Sequence, residues 1–214
     1  MSAFATSNGG DIVRALIAAV KEHRQQLTDI DGLIGDGDHG INMARGFAKA
    51  GERLGDGPED FAPALRTLGL TLMNEVGGAM GPLYGSIFRS MAKAANGRQS
   101  IDGATFSDML RSSATAVREL GQAELGDKTL LDALSPASDA FAAAVAEGKD
   151  FAEALAAMKD AALVGRDATT DMVAKKGRAS RLGERSRGTP DAGATSCALI
   201  LETLADAITP LLGG

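Results

Sequence analysis

Aromatic residues are scarce in this sequence, and tryptophan is absent from its 214 residues. Aromatic residues make up 4% of the chain, although hydrophobic residues as a whole make up 44%. Because a β-sandwich would need aromatic and β-branched residues on its strands, this composition favours closely packed helices. The length is sufficient for one hydrophobic core, so we predict a single domain over residues 1–214.

Cysteine is almost absent as well, since Cys197 is the only one in the sequence. A lone cysteine cannot form an internal disulfide, which fits a reducing cytoplasm, and its apolar helical surroundings predict a core position. The sequence also lacks a run of about 18 apolar residues, the length that indicates a membrane span. Its first residues lack a basic segment followed by an apolar one, so we expect no signal peptide. These absences predict a cytoplasmic protein without a membrane partner.

The sequence lacks a surplus of positive charge, with 22 Lys and Arg against 28 Asp and Glu and a net charge of −6. This balance argues against general nucleic-acid binding. The basic residues concentrate in a glycine-containing segment, residues 175–187, which we name the basic loop. Three interpretations of this loop are open: a solvated surface, a mobile lid whose arginines grip phosphate, or a nucleic-acid contact with steep salt dependence.

Carboxylates and glycines are concentrated in residues 31–40, the segment DGLIGDGDHG. Glycine permits tight turns, so Asp31, Asp36 and Asp38 are expected to lie close together. Carboxylates held that close repel one another unless a cation lies among them, and an oxygen-only ligand set suits Mg²⁺ or Ca²⁺. We therefore predict that these three residues bind a metal. The alternative is an ordinary turn in which Asp38 caps a helix that begins near Ile41.

Two familiar motifs are excluded at this segment. Residues 35–40 match the glycine pattern of dinucleotide-binding folds, but that motif follows a strand, and here its aspartates would repel a pyrophosphate. An EF-hand that began at Asp36 would need glycine at its sixth position and glutamate at its twelfth, where the sequence has Ile41 and Phe47.

Apolar residues recur at helical spacing along most of the chain, and no segment shows the alternation typical of a strand. We predict eight helices joined by short connections, which makes successive helices antiparallel and favours an all-α, eight-helix bundle or closed barrel. The first contains Ile12, Leu16, Ile17 and Val20, and the others span about 41–54, 61–76, 82–95, 106–120, 128–146, 150–175 and 195–212. Asp127 is the expected cap of the sixth helix.

Alternating directions place every second junction at the same end of the bundle. These junctions are the aspartate segment, the glycine turn at 77–82, residues 121–129, and the basic loop with residues 191–196 after it. A glycine turn at a helix N-terminus is either an anion site or a simple helix boundary. Together with a metal loop and arginines, these junctions indicate a Mg–nucleotide site. The sequence has neither a P-loop nor a kinase His-Arg-Asp triplet, and it shows no obvious general base.

Five segments in this order resemble the nucleotide-binding L subunit (DhaL) family of dihydroxyacetone kinase, which also forms the C-terminal part of single-chain kinases. They are residues 34–43 (IGDGDHGINM), 76–85 (VGGAMGPLYG), 126–129 (GDKT), 176–186 (KGRASRLGERS) and 191–196 (DAGATS). The resemblance covers nearly the whole chain and implies an eight-helix barrel that binds ADP or ATP through two Mg²⁺ ions at one end.

The resemblance also implies roles for individual residues. Asp31, Asp36 and Asp38 would be the metal ligands, and Gly78, Ala79 and Met80 would approach the phosphates through the backbone. The remaining nucleotide contacts implied are His39, Gly40, Ile41 and Asn42 at its border, Gly121 and Leu130 on the adenine side, and Arg178, Asp191, Ala192 and Gly193 closing over it. We assign the catalytic role to Arg178. The family commonly has serine where this chain has Met80, so a phosphate-binding hydroxyl is missing.

The family resemblance implies partners as well. The free-standing form works with a separate K subunit that holds dihydroxyacetone, and one branch is rephosphorylated by an M subunit of the phosphotransferase system. In that branch ADP stays bound as a coenzyme, whereas in the other branch ATP exchanges as a substrate. Two alternatives stay open: a nucleotide-sensing regulatory subunit that performs no chemistry, and a kinase subunit for another short ketose.

Overall fold

The protein is a helical barrel, seen here in a computed structural model that describes residues 2–213. Within that range the chain forms nine α-helices and one two-stranded sheet. The helices are α1 (Gly9–Glu22), α2 (Arg24–Ile34), α3 (His39–Leu54), α4 (Phe61–Glu75), α5 (Met80–Ala95), α6 (Gly103–Gly121), α7 (Leu131–Ala146), α8 (Phe151–Ala168) and α9 (Ala192–Ile208). Short 3₁₀ turns cover residues 6–8, 169–171, 179–186 and 209–211.

The helices form a closed ring. Each helix from α3 to α8 packs against the next one along the chain, and α9 returns to pack against α1 and α2. Helices α1 and α2 act as one bent rod, because backbone hydrogen bonds from His23 to Ala19 and from Leu27 to His23 continue across the break and both helices pack against α3. The nine helices therefore make a ring of eight rods, and the predicted all-α, single-domain barrel is confirmed.

Phenylalanines fill the end of the core where the two short strands lie. Strand β1 (Ala3–Ala5) pairs antiparallel with β2 (Ser100–Asp102), so that Phe4 faces Ile101. Both residues are fully buried, and the Phe4 ring packs edge-on against Phe61 with 5.3 Å between the ring centroids. Strands of three residues are too short to show alternation in the sequence, so the prediction that the chain has no strand is wrong here.

Several predicted helix boundaries are wrong. Helix α2 was not predicted, because its exposed surface is large and only Leu27 and Ile34 are buried in it. The predicted helix over 150–175 ends at Ala168, where a 3₁₀ turn and then an extended segment follow. Asp127 does not cap α7, since its carboxylate accepts instead from the backbone N–H of Glu124 at 2.9 Å.

The final helix is the most apolar part of the barrel. The segment Ala192–Leu211 is long and apolar enough by composition to cross a membrane, although 56% of it is buried inside the protein. It packs against α1, α7 and α8, and Cys197 is buried there as predicted. Packing in the barrel core therefore accounts for the apolar composition of this segment.

Candidate functional site

A cavity of about 630 Å³ lies at one end of the barrel. All four junctions that were predicted to share one end contribute to its wall: the α2–α3 turn, the α4–α5 turn, the α6–α7 connection, and the basic loop with the start of α9. The N-termini of α3, α5, α7 and α9 therefore border one space. Helix N-termini present free N–H groups and the positive end of the helix dipole, so this end of the barrel favours an anion.

The three aspartates lie together on one side of the cavity. One carboxylate oxygen from each of Asp31, Asp36 and Asp38 lies within 4.8 Å of the others. Asp31 is on the last turn of α2, and its Oδ2 accepts from the backbone N–H groups of Asp38 at 3.0 Å and His39 at 3.3 Å. This oxygen-only set, with one carboxylate fixed by the backbone, fits Mg²⁺.

Glycine is required at the turn that gathers these carboxylates. A Cβ on Gly35 would lie 2.3 Å from Asp31 Oδ1, so a side chain there would displace the carboxylate. Gly37 has a φ of +70°, a conformation that other residues rarely adopt. Asp38 stands at the N-cap position of α3, but its side chain makes no capping hydrogen bond. The local structure thus leaves Asp38 available as a ligand instead of using it as a cap.

Arg178 extends from the basic loop to this aspartate cluster. Its guanidinium pairs with Asp36 and lies 3.3 Å from Asp38 Oδ2, while its side chain stays 55% exposed. The hydrogen bonds to Asp38 and Asp36 raise the pKa of Arg178, so it is a permanent cation. The one arginine to which we assigned catalysis is therefore beside the carboxylates predicted to hold the metal.

The glycine turn between α4 and α5 forms the next part of the wall. Gly78 has a φ of +70°, and a Cβ on Gly77 or Gly78 would meet no atom within 4 Å, so the backbone here is open to the cavity. Helix α5 begins at Met80. Its close approach to α4 depends on Gly81, where a Cβ would lie 2.1 Å from the Val76 carbonyl oxygen. The Met80 side chain is partly buried and packs against the core.

Part of the cavity wall is apolar. It is formed by residues of α5, α6 and the connection into α7, namely Leu83, Val117, Gly121, Ala123 and Leu130. Leu130 is 5% exposed and belongs to the main core. An aromatic base could pack against this apolar part of the wall.

The start of α9 forms a further part of the cavity wall. Asp191 caps this helix by accepting from the backbone N–H of Ala194 at 2.7 Å, and Ala192 and Gly193 follow on the cavity wall. Burial raises the pKa of Asp191 to about 6, an effect that the hydrogen bond from Ala194 and the charge of Lys128 partly offset.

His39 is held by a chain of buried hydroxyl groups. Its Nε2 lies 2.8 Å from Ser196 Oγ, which in turn lies 2.6 Å from the Tyr84 hydroxyl. Burial lowers the pKa of His39 to about 4, although the charges of Asp31 and Asp38 act in the opposite direction. At neutral pH the imidazole is therefore uncharged and fixed in orientation.

Two residues implied by the family resemblance do not reach the cavity. Gly40 is buried between α2 and α3, where a Cβ would lie 2.1 Å from the Arg24 carbonyl oxygen. Ile41 is 41% exposed and lines a separate groove on the outside of the barrel. In this structure Gly40 serves helix packing, and Ile41 points away from the cavity because it follows on the outer face of α3. His39 and Asn42 do line it.

Residues 33–206 match the model of the DAK2 domain family. The chain belongs to the DAK2 domain family. It is 41% identical over 182 residues to the PEP-dependent dihydroxyacetone kinase ADP-binding subunit DhaL of Escherichia coli, covering 85% of this chain and 87% of that subunit. It is 36% identical over 202 residues to the ADP-binding subunit DhaL of the PEP-dependent dihydroxyacetone kinase 2 of Listeria innocua, covering 91% of each chain.

One part of a solved kinase structure has the same fold. The dihydroxyacetone kinase from C. freundii in complex with AMP-PNP and Mg²⁺ superposes with a TM-score of 0.69 at 25% identity. The match covers 92% of this chain and 33% of the kinase chain. This DAK2 chain is thus similar both to free-standing subunits and to one part of a longer kinase.

Sequence reasoning missed some polar residues on the cavity wall of this DAK2 chain. They include Arg45, Lys128 and Thr129. Lys128 and Thr129 lay within a family motif, but the contacts of Lys128 depend on chain segments far away in sequence, whereas Thr129 bonds locally to Leu131 and Asp132. Asn42 Oδ1 accepts from Arg45 at 3.0 Å, one turn apart on α3, a spacing that was readable from the sequence.

Proposed function

We propose that this chain is the nucleotide-binding, phosphoryl-transferring subunit of a dihydroxyacetone-type kinase. The observation that carries the proposal is the cluster of three carboxylates within 4.8 Å on the wall of a 630 Å³ cavity. Four helix N-termini border the same cavity. A Mg²⁺-bound di- or triphosphate needs both features, since the metal and the backbone donors share its negative charge. The similarity to DhaL relatives that are named as ADP-binding subunits supports this proposal.

Asp31, Asp36 and Asp38 are the residues that would hold Mg²⁺, and we expect two ions. Bound there, Mg²⁺ supplies charge neutralisation for the phosphate oxygens. The Gly78–Met80 backbone offers N–H donors to the same phosphates. With methionine at position 80 instead of the family's serine, that contact relies on backbone donors alone.

Arg178 is the proposed catalytic residue. Its guanidinium is already beside Asp36 and Asp38, so it needs only a short movement to reach a phosphoryl group held at those carboxylates. A planar guanidinium pairs with two oxygens of such a group and stabilises charge during transfer. The basic loop that carries Arg178 would close over the nucleotide together with Asp191, Ala192 and Gly193.

The nucleoside would lie along the apolar side of the cavity. Gly121 and Leu130 are proposed for the adenine side, and His39 and Asn42 for the border with the phosphates. A neutral, fixed His39 can donate or accept one hydrogen bond there without adding charge.

The acceptor and its base are proposed to come from a partner. By resemblance, a dihydroxyacetone-binding K subunit would present the ketose to the cavity mouth in the cytoplasm. A phosphotransferase-system M subunit would recharge bound ADP, or free ATP would exchange.

The first experiment measures nucleotide in the purified protein after gel filtration with Mg²⁺. Retained stoichiometric ADP indicates the coenzyme mode, and an empty protein that binds Mg-ATP reversibly indicates the exchanging mode. Protein that binds neither nucleotide contradicts the proposal. A nucleotide-binding protein that captures a transcription regulator but transfers no phosphate would instead be a regulatory subunit.

The metal assignment is tested by Asp36→Asn, with Asp29→Asn as the matched control. Asp29 is exposed on α2, and among the described residues its side chain hydrogen-bonds with Gln25 alone. We expect Asp36→Asn to lower phosphoryl transfer at least about 100-fold, because even indirect partners of metal ligands contribute about 10- to 100-fold. The control should keep its activity, and both variants should melt close to the parent protein. Near-normal transfer by Asp36→Asn would refute the assignment.

A further inference from the structure

Lys128 is a buried lysine without a carboxylate partner at ion-pair distance among the described residues. The residue is 1% exposed, and its backbone has a φ of +61°, unusual for a residue other than glycine. Burial lowers the pKa of its ammonium group, and the charges of Asp191 and Asp171 partly counter that effect. A buried charge of this kind is stable only if hydrogen bonds replace its hydration.

Backbone carbonyl groups provide those hydrogen bonds. Lys128 Nζ donates to the carbonyl oxygens of Ser186 and Thr189 at 2.7 Å and of Thr169 at 2.8 Å, and the Met172 carbonyl oxygen lies at 3.2 Å. An ammonium group has three N–H donors, so the three short bonds use them fully. The Nζ atom is therefore committed to the protein backbone and is not free for a ligand.

The acceptors lie on both sides of the basic loop. Thr169 and Met172 follow the C-terminus of α8, where unpaired carbonyl groups attract a cation. Ser186 ends the 3₁₀ turn inside the loop, and Thr189 leads into α9. One side chain on the α6–α7 connection thus joins the entry, the interior and the exit of the loop.

Two further hydrogen bonds close the base of the loop beside the ammonium group. The backbone N–H of Ala174 donates to Ser186 Oγ at 2.9 Å, and that of Gly188 donates to the Thr170 carbonyl oxygen at 2.8 Å. In the outer part of the loop Lys175, Lys176 and Arg178 are all exposed, and the ion pairs of Lys175 with Asp127 and of Arg178 with Asp36 and Asp38 lie at the surface. The position of Arg178 therefore depends on how well the base of the loop is held.

We propose that Lys128 is a positioning residue that anchors the basic loop and so holds Arg178 over the cavity. This inference rests on the proposed function for the role of Arg178, but the anchoring itself does not. Lys128 contacts no reacting group. Its effect on transfer passes through the loop, because the carbonyl groups it binds lie in the chain before and after Arg178.

The anchoring is tested by limited trypsin digestion of the nucleotide-free protein. Lys128→Met keeps the length of the side chain but removes all its donors. We expect native-state cleavage within the basic loop to accelerate at least about tenfold, because proteolysis follows local opening. Lys93→Met is the matched control, since Lys93 is exposed on α5 and its replacement leaves every trypsin site of the basic loop in place. An unchanged cleavage rate in Lys128→Met would overturn the proposal.

A measurement on the parent protein covers the case in which Lys128→Met does not fold. In protein labelled with ¹⁵N-lysine, the Lys128 ammonium protons should exchange slowly enough to be seen at neutral pH. They should show NOE contacts to Ser186 and Thr189. Failure to detect any protected ammonium group would contradict the hydrogen bonds on which the proposal stands.

The link to Arg178 is tested by a double-mutant cycle in the transfer assay. Lys128→Met should lower kcat about tenfold when Arg178 is present and less than about twofold in an Arg178→Ala background. The two losses should not add, because Lys128 affects transfer by positioning Arg178. Equal losses in both backgrounds would show that Lys128 acts independently of Arg178. If the protein transfers no phosphate at all, the proposed function fails, while the digestion and NMR results still decide whether Lys128 anchors the loop.

Discussion

At the scale of single residues, two aspartates that both cap a helix have pKa values shifted in opposite directions. Asp191 caps α9 by accepting from Ala194, and Asp102 caps α6 by accepting from Thr105 at 2.8 Å. Burial raises the pKa of Asp191 to about 6, whereas the hydrogen bond from the Thr105 backbone lowers the pKa of Asp102. The difference arises because burial is the largest influence on the pKa of Asp191, whereas hydrogen bonds from Thr105 are the largest influence on the pKa of Asp102.

We predict that Asp191→Asn stabilises the nucleotide-free protein increasingly as the pH rises from about 4 to about 6. The unfolded carboxyl has a pKa of about 3.9, so in this window the folded parent holds the extra proton and loses stability with rising pH. Asparagine keeps a capping oxygen without the buried charge. The measurement is the urea midpoint of parent and variant at each pH, and their difference cancels the titration of His39.

Asp102→Asn is the control with the opposite sign. Its lowered pKa means that the carboxylate stabilises the folded protein above pH 4 and that this contribution is lost as the pH falls below 4. The variant should therefore be less stable than the parent at pH 7, with the deficit shrinking in acid. If the urea midpoints of the parent and of Asp191→Asn changed in parallel between pH 4 and pH 6, the raised pKa of Asp191 would be contradicted.

Residue types and local spacing were sufficient to predict that Asp31, Asp36 and Asp38 lie together, as the structure shows, and their binding of a metal stays a prediction. Nothing local could reveal that Gly40 faces Arg24 or that Lys128 reaches four carbonyl groups, because both contacts depend on segments that fold back from elsewhere. The positions and roles of the nucleotide contacts remain predictions.

At the scale of elements, the crossing of α2 and α3 is set by a residue without a side chain. A Cβ on Gly40 would lie 2.1 Å from the Arg24 carbonyl oxygen and 2.5 Å from Thr28 Oγ1. That distance is possible only for glycine, and the close approach brings Asp31 beside the start of α3.

We predict that Gly40→Ala destabilises the protein by at least about 1–3 kcal/mol, the usual cost of overpacking. The matched control is Gly51→Ala on the same helix, where a Cβ would make ordinary contact with Ile17 at 3.5 Å. That variant should be as stable as the parent or more so, since alanine favours helix. Urea unfolding of both variants measures the difference, and equal stabilities would contradict the close packing.

Helix existence was easier to predict than helix ends. Apolar spacing identified the helices with a continuous buried face, and short connections correctly implied a shared end for four junctions. Helix α2 was not predicted because only two of its residues are buried. The predicted end of α8 lies too far along the chain because Met172 and Val173 continue an apolar pattern beyond the observed end. Burial that depends on the tertiary structure decides such cases.

At the scale of the whole molecule, the cavity is assembled from four junctions that are distant in sequence. A ligand that contacts all of them binds only the closed ring, and it therefore stabilises the entire barrel. Local unfolding of any one junction would remove part of the cavity wall and weaken binding of such a ligand.

We predict that Mg²⁺ and ADP together raise the melting temperature by about 5 to 10 °C when the nucleotide is at about 100 times its Kd. Mg²⁺ alone or ADP with a chelator should give a much smaller shift, because the carboxylates repel an uncompensated phosphate. Differential scanning calorimetry of the parent and of Asp36→Asn provides the comparison. An equal shift with and without Mg²⁺ would argue against a metal-bridged nucleotide.

The closed ring also determines where the described chain ends lie. Strand β1 contacts the 3₁₀ turn at 209–211, so the two ends meet at the side of the barrel remote from the cavity. α9 starts at the cavity and runs away from it, while α1 and α2 run toward it. A tag, surface tether or further domain joined at either chain end would therefore leave the cavity mouth clear. The barrel can be attached at the end remote from the cavity while the cavity stays accessible to a ligand or partner.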